Sequence, residues 1–280
     1  MSKKLTLEEV QKTCSDGRFF PYDDWRDSLF VPPATILVWV FLKLGWSGNA
    51  VTILSGVTAM VGGILLASNN PVAVVIGSFG YMAFYLLDYV DGGVARIRGQ
   101  SGIGGQYMDW TMHVVSAVSI AVGLFIGALS VTSVWIIPFG ILTVVAAALA
   151  LDRYSLAWFA ICMHYQQQQV KGDLKEPSQV YYKTNSCGPI YRLFRYLSTI
   201  VFHENYAIFI LPMLAIIQLF WQSMPYDFRV VIVIIGGLIY FPVVLYDIWF
   251  LATRGKVDNA YRKLFFSTET PRLPEDHFLK

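Results

Sequence analysis

The chain has 280 residues, of which 55% are hydrophobic and only 14% charged, with a mean hydropathy of +0.51. A water-soluble domain of this length carries more charge, so the composition excludes an ordinary globular enzyme and points to a membrane protein. The formal net charge of +2 gives no reason to expect nucleic acid as a partner and leaves the basic residues for anionic lipid headgroups or phosphorylated substrates.

Residues 1–28 mix Lys, Glu, Asp and aromatics, which suits a surface helix, and carry no secretory signal pattern. The apolar run from Leu29 to Leu42 is short, contains Pro32-Pro33 and is bounded by Asp27 and Lys43. Its length predicts an interfacial or re-entrant segment. Six longer runs follow, at about 50–68, 71–91, 105–129, 132–152, 205–222 and 229–251, each near the ~20 residues needed to cross a bilayer. The predicted fold class is therefore an all-α integral membrane protein, six transmembrane helices preceded by an N-terminal juxtamembrane segment. Its domains are a segment at 1–28, a membrane domain at 29–252 and a tail at 253–280.

With six spans both termini share one side. Arg96, Arg98 and the 164–204 loop share it too, while Arg229 alone among the basic residues faces the other. Lys and Arg mark the cytoplasmic side, so the termini and that loop are expected there. Within the loop, "GPIYRLFRYLSTIVF" has Arg192 and Arg195 three apart among aromatics, the pattern of an interfacial amphipathic helix. Pro138, Pro212 and Pro242 fall inside spans, where neighbours can satisfy the backbone. Cys14, Cys162 and Cys187 have no metal-ligand spacing, and no disulfide is expected.

The stretch "LLDYVDGGVARIRGQSGIGGQYMDWTMH", residues 86–113, puts ions where hydrocarbon is expected. On a helix Asp88, Asp91, Gly92 and Ala95 share a face. On the next span Gly105, Asp109 and His113 step by four and share another. A short connection makes the two helices antiparallel, so the faces converge. Three carboxylates together repel, and a divalent cation relieves that repulsion; oxygen ligands suit Mg²⁺, Mn²⁺ or Ca²⁺. Gly92, Gly93 and Ala95 leave a smooth flank, and Arg96 and Arg98 beside it suit a phosphate, although Arg98 fits a cytoplasmic-side anchor equally well. Gly92, Gly105 and Ala95 also fit plain packing of helices through small residues, and both roles can coexist. Carboxylates, an arginine and a smooth groove are the means of handling a pyrophosphate.

Asp88-x2-Asp91-Gly92-x2-Ala95-Arg96-x8-Gly105-x3-Asp109-x3-His113 resembles the signature D-x2-D-G-x2-A-R-x8-G-x3-D-x3-D of the CDP-alcohol phosphotransferase family, matching every fixed position but the last. "GNAVT" at 48–52 is similar to that family's Pro-Asn-x-Val-Thr entry into its first span, with Gly48 in the proline place. The resemblance implies an enzyme that transfers a phospho-alcohol unit, such as phosphatidyl, from a CDP-linked donor to an acceptor hydroxyl, releasing CMP in phospholipid or phospho-polyol synthesis. It implies metal ligands Asp88, Asp91, Asp109 and His113, with Mg²⁺ or Mn²⁺ as cofactor. It implies CDP binding by Asn49, Thr52, Asp88, Gly92, Ala95, Arg96 and Gly105, and a weaker acceptor-binding candidate in Arg153. The active site then lies at the cytoplasmic side of a multi-pass protein. Expected partners are the CDP-linked donor, an alcohol acceptor, membrane lipids and, as a further candidate, a second copy in a homodimer.

His113 departs from the family, which has Asp there as a metal ligand and proposed base. Imidazole also serves as a base, and it can ligate Mn²⁺ or Zn²⁺ but is a poor ligand for Mg²⁺. Two other readings stay open: a non-catalytic relative, and a metal- or proton-coupled transporter, which also places Asp and His within spans.

Overall fold

The computed structural model describes residues 6–15, 25–100, 102–171, 189–202, 204–221, 226–253 and 257, and no strand occurs among them. The helices are α1 (Leu7–Ser15), α2 (Trp25–Lys43), α3 (Gly48–Leu66), α4 (Pro71–Ile97), α5 (Ile103–Val131), α6 (Ile137–Lys171), α7 (Pro189–Phe202), α8 (Glu204–Phe220), α9 (Phe228–Ile235) and α10 (Phe241–Thr253). Much of the expected N-terminal segment, residues 172–188 of the expected connection and the expected tail beyond 253, apart from Val257, lie outside the described residues.

Local chemistry sets the starts. Thr6 and Glu9 form a reciprocal capping box ahead of α1, with Thr6 N to Glu9 Oε2 at 2.9 Å and Glu9 N to Thr6 Oγ1 at 3.2 Å. Ser47 caps α3 by accepting from Ala50 N at 3.2 Å. Asn70 caps α4 by accepting from Val72 N at 2.9 Å, and Pro71 occupies the first turn, where its missing N–H costs nothing.

Four helical stretches are long and apolar enough to cross a membrane: Gly48–Leu66, Pro71–Ile97, Gly104–Val131 and Phe228–Leu251. The runs expected at 132–152 and 205–222 correspond to the shorter apolar stretches Val134–Ala150 and Tyr206–Phe220. The chain is thus all-helical and compatible with a multi-pass membrane protein. Helix α6 runs on to Lys171, so the connection expected to begin at 164 starts later. Its four glutamines are tolerant of helix, and the first breaker is Gly172.

Helix α2 is longer than the apolar run that announced it and holds Pro32 and Pro33 inside. It docks on the bundle: Val31, Ala34 and Val38 are buried with Val10 of α1, Val51 of α3, and Val90 and Val94 of α4. The residues of "GPIYRLFRYLSTIVF" from Pro189 onward form α7, as expected.

Helix α3 lies between α4 and α5, and those two touch each other far less than each touches α3. Bare glycine flanks allow this. A Cβ on Gly62 would meet Gly80 Cα at 2.9 Å, and one on Gly63 would collide with the Ser119 carbonyl. Backbones this close gain dispersion contacts along their length, which hold helices together where lipid competes for apolar side chains.

The last span is continuous but widens into a π-helical turn at Gly236–Tyr240, just ahead of Pro242. A neighbour attends it: the Thr143 hydroxyl of α6 lies 2.9 Å from the Val233 carbonyl and 2.8 Å from Phe139 O, and can donate to either. Irregular backbone at membrane depth needs such partners.

At the end of the bundle formed by the C-termini of α3 and α5, Arg229 is only 3% exposed. Its Nη1 donates to Leu66 O at 2.8 Å and Ser68 O at 2.7 Å. Its Nε and Nη2 grip Asp227 at 2.9 and 2.7 Å. The one basic residue expected on that side is therefore a tie between α3 and α9.

Candidate metal and phosphate site

The opposite end gathers the N-termini of α3 and α5 with the C-terminal third of α4. Antiparallel packing makes the Asp-rich face of α4 meet the Asp-His face of α5. One ligand atom each from Asp88, Asp109 and His113 lies within 4.8 Å of the others. His113 Nε2 is 3.1 Å from Asp88 Oδ1 and 3.5 Å from Asp109 Oδ1, and all three residues are half-buried. The imidazole stands edge-on to the Phe84 ring at 5.1 Å between centroids. Phe84 is fully buried and one turn before Asp88, so α4 supplies both the ring's support and its partner.

Asp91 is on α4 beside these residues but outside that three-residue group. Its carboxylate is 7% exposed and accepts from Thr52 Oγ1 at 2.5 Å. Thr52 stands one turn inside α3, where its hydroxyl can also donate to Gly48 O at 3.1 Å. The expected four-ligand set thus divides: Asp88, Asp109 and His113 meet directly, while Asp91 is held by α3.

Gly48, Asn49, Gly92, Ala95, Arg96 and Gly105 fall around the same mouth. A Cβ on Gly48 would meet Ala95 Cβ at 2.8 Å, so Ala95 is a packing contact between α3 and α4. The Arg96 guanidinium covers the bare flank of Gly92: a Cβ there would come 2.9 Å from Nη2. Asn49 reaches toward α5, its Oδ1 3.6 Å from a Cβ built on Gly105. Arg153 lies on α6, and its side chain is outside the described residues.

The donor set fits a divalent cation. Asp109 Oδ1 is buried and without a hydrogen-bond partner among the described residues. A buried carboxylate oxygen left so is costly, and a cation satisfies it. Two carboxylates and one imidazole are a ligand set that a divalent cation can accept.

Spacing alone could not reveal Phe84 as the support of His113, although its position four before Asp88 put it on the same face. The Thr52 bond to Asp91 joins two motifs that look independent in the sequence. No protein-family model matches the chain, and no curated protein matches it.

Proposed function

We propose that the chain is a membrane-embedded CDP-alcohol phosphotransferase, passing a phospho-alcohol unit from a CDP-linked donor to an acceptor hydroxyl with release of CMP. The observation that carries this reading is the meeting of Asp88, Asp109 and His113 across α4 and α5, in a stretch that resembles that family's signature. In this reading the chain crosses the membrane six times, with α2 at the interface and the site on the cytoplasmic side.

Asp88 and Asp109 would hold Mg²⁺ or Mn²⁺, with Asp91 beside them and His113 as base or fourth ligand. A divalent cation held there would neutralise the carboxylates and supply positive charge for the pyrophosphate. Arg96 contacts the donor phosphates, and Asn49, Gly92, Ala95 and Gly105 line the nucleotide's path. Thr52 orients Asp91 through its hydroxyl. The acceptor oxygen attacks the phosphorus that carries the alcohol, its proton passes to His113 Nε2, and the bond from that phosphorus to the CMP oxygen breaks. Asp88 Oδ1, 3.1 Å from Nε2, accepts from it and stabilises the imidazolium once it is protonated. His113 is the base in a site whose metal leaves Nε2 free, or the fourth ligand in one that binds it. Arg153 is the acceptor-side candidate.

The test is product analysis. Purified protein is incubated with CDP-diacylglycerol or another CDP-alcohol, a mixture of polar alcohols and Mn²⁺ or Mg²⁺, and CMP and adducts are read by mass spectrometry. Stoichiometric CMP and phospho-alcohol product are expected. Absence of both with every donor, alongside ion flux in proteoliposomes, supports the transporter instead.

A further inference from the structure

We propose that Lys43 and Arg98 form a binding site for the headgroup phosphate of an anionic phospholipid, separate from the carboxylate cluster. Lys43 ends α2 and Arg98 caps the C-terminus of α4. The fold brings them together: Arg98 Nη2 reaches Leu42 O, the carbonyl next to Lys43, at 3.4 Å. The Lys43 ammonium lies 3.7 Å from the centroid of the Trp39 ring. Both side chains are exposed. Neither has a carboxylate partner among the described residues. One long hydrogen bond leaves most of the five guanidinium N–H donors of Arg98 for another acceptor.

Attraction to the carbonyl end of α2 explains why Arg98 leans toward Leu42. It does not explain the residues around the pair. The apolar stretches of α2 and α4 end at Lys43 and Ile97, so both cations sit where hydrocarbon gives way to headgroups. The turn that follows α2, with Gly45 at φ +79°, leaves Leu44 and Trp46 exposed beside them. Trp46 leans on Phe41 at 5.1 Å between centroids, which fixes its ring at that level. Tryptophan, leucine and two cations at a helix end suit the bilayer interface, whereas a soluble phosphate would have no use for the apolar pair. Asp88 is ten residues inside Arg98 on the same helix, a separation of about 15 Å along its axis.

The full chain in neutral detergent is titrated with phosphatidylglycerol, phosphatidylcholine or inorganic phosphate, and bound lipid is counted by native mass spectrometry. Phosphatidylglycerol is expected to bind well above phosphatidylcholine, and the binding to weaken with salt. The paired substitution Lys43→Gln/Arg98→Gln should weaken phosphatidylglycerol binding about 30-fold, at about 1 kcal/mol per basic residue. Lys43→Arg/Arg98→Lys should keep most of it. Equal phosphatidylglycerol binding by the Gln pair overturns the site, and inorganic phosphate binding as tightly as the lipid overturns the lipid assignment. If the Gln pair does not fold, a phosphatidylglycerol analogue with a photoreactive headgroup is crosslinked to the unaltered chain. Labels on peptides carrying Lys43 or Arg98 support the proposal, and labels confined elsewhere overturn it.

Discussion

His113 on α5 reaches across to α4, with its Nε2 3.1 Å from Asp88 Oδ1. That contact joins the two acidic faces, so it registers one helix against the other as well as filling the centre of the site. Replacing His113 by Gln removes a proton acceptor while keeping a polar side chain of similar reach. Turnover is expected to fall by roughly 10²–10⁴ if the imidazole is the base, with a smaller loss of CDP binding. His113→Asp should retain some turnover. Rates at saturating donor and metal, beside Mn²⁺ titration followed by electron paramagnetic resonance, separate the base from the ligand role. An unchanged rate in His113→Gln removes His113 from the chemistry.

The Thr52 hydroxyl supports the most buried carboxylate of the cluster, Asp91. Thr52→Val keeps the shape and deletes the donor. A buried acceptor left without its partner costs about 1–3 kcal/mol, so a lower melting temperature in detergent is expected, together with weaker metal-dependent CDP binding. Asp91→Asn should weaken CDP binding in Mg²⁺ or Mn²⁺ more strongly. Calorimetry with and without chelator measures both variants. Equal affinity throughout would detach Asp91 from nucleotide binding.

Ala95 faces Gly48 closely enough that its bulk matters to both helices. Ala95→Leu is expected to push the start of α3 from α4, lowering the melting temperature by overpacking of about 1–3 kcal/mol and abolishing donor binding. Ala95→Ser, nearly isosteric, should keep the fold. If Ala95→Leu melts as the parent does yet fails to bind donor, the groove reading holds without the packing one.

Asp227 supplies the pH dependence that can be assigned from structure outside the spans. Burial pushes its carboxyl up, but hydrogen bonds from Arg229 and Gln218, with the Arg229 charge, outweigh burial and hold it below its ordinary value. The unfolded chain therefore binds this proton at a higher pH than the folded one. The stabilisation is fully present above about pH 4, the unfolded carboxyl's range, and is lost as pH falls through the lower folded value. Melting temperature from pH 6 to pH 3 should drop more steeply for the parent than for Asp227→Asn. Arg229→Met strands Asp227 and the Leu66 and Ser68 carbonyls, and should cost about 3–5 kcal/mol.

Orientation is tested by single cysteines at 171 and 226 in a chain freed of its native cysteines. Reagent from the cytoplasmic face is expected to label 171, and reagent from the opposite face 226. The reverse pattern refutes the proposed topology.

Long apolar runs made the helical membrane class readable, and steps of three and four made the two acidic faces readable. Helix periodicity carries that information locally. What the sequence did not disclose depends on three-dimensional neighbours. Nothing local says that α3 separates α4 from α5, since its glycines find their partners only in the packed bundle. Nothing local says that Thr52 donates to Asp91, which is 39 positions away. Arg229 read as a cation at a span boundary, because its acceptors at Leu66 and Ser68 are carbonyls that any residue would supply. The length of α6 was missed because four glutamines signal polarity rather than an end.

The position of α3 has an effect on how this site can change over time. The distance between Asp88 and His113 is calibrated by a helix that contributes neither of them. Swapping Gly56 or Gly63, which abut Met112 and Ser119 of α5, for alanine would alter the aperture while every charged group kept its identity. The aperture of the cluster can then drift independently of its charged groups, through substitutions that a comparison of acidic motifs alone would never register.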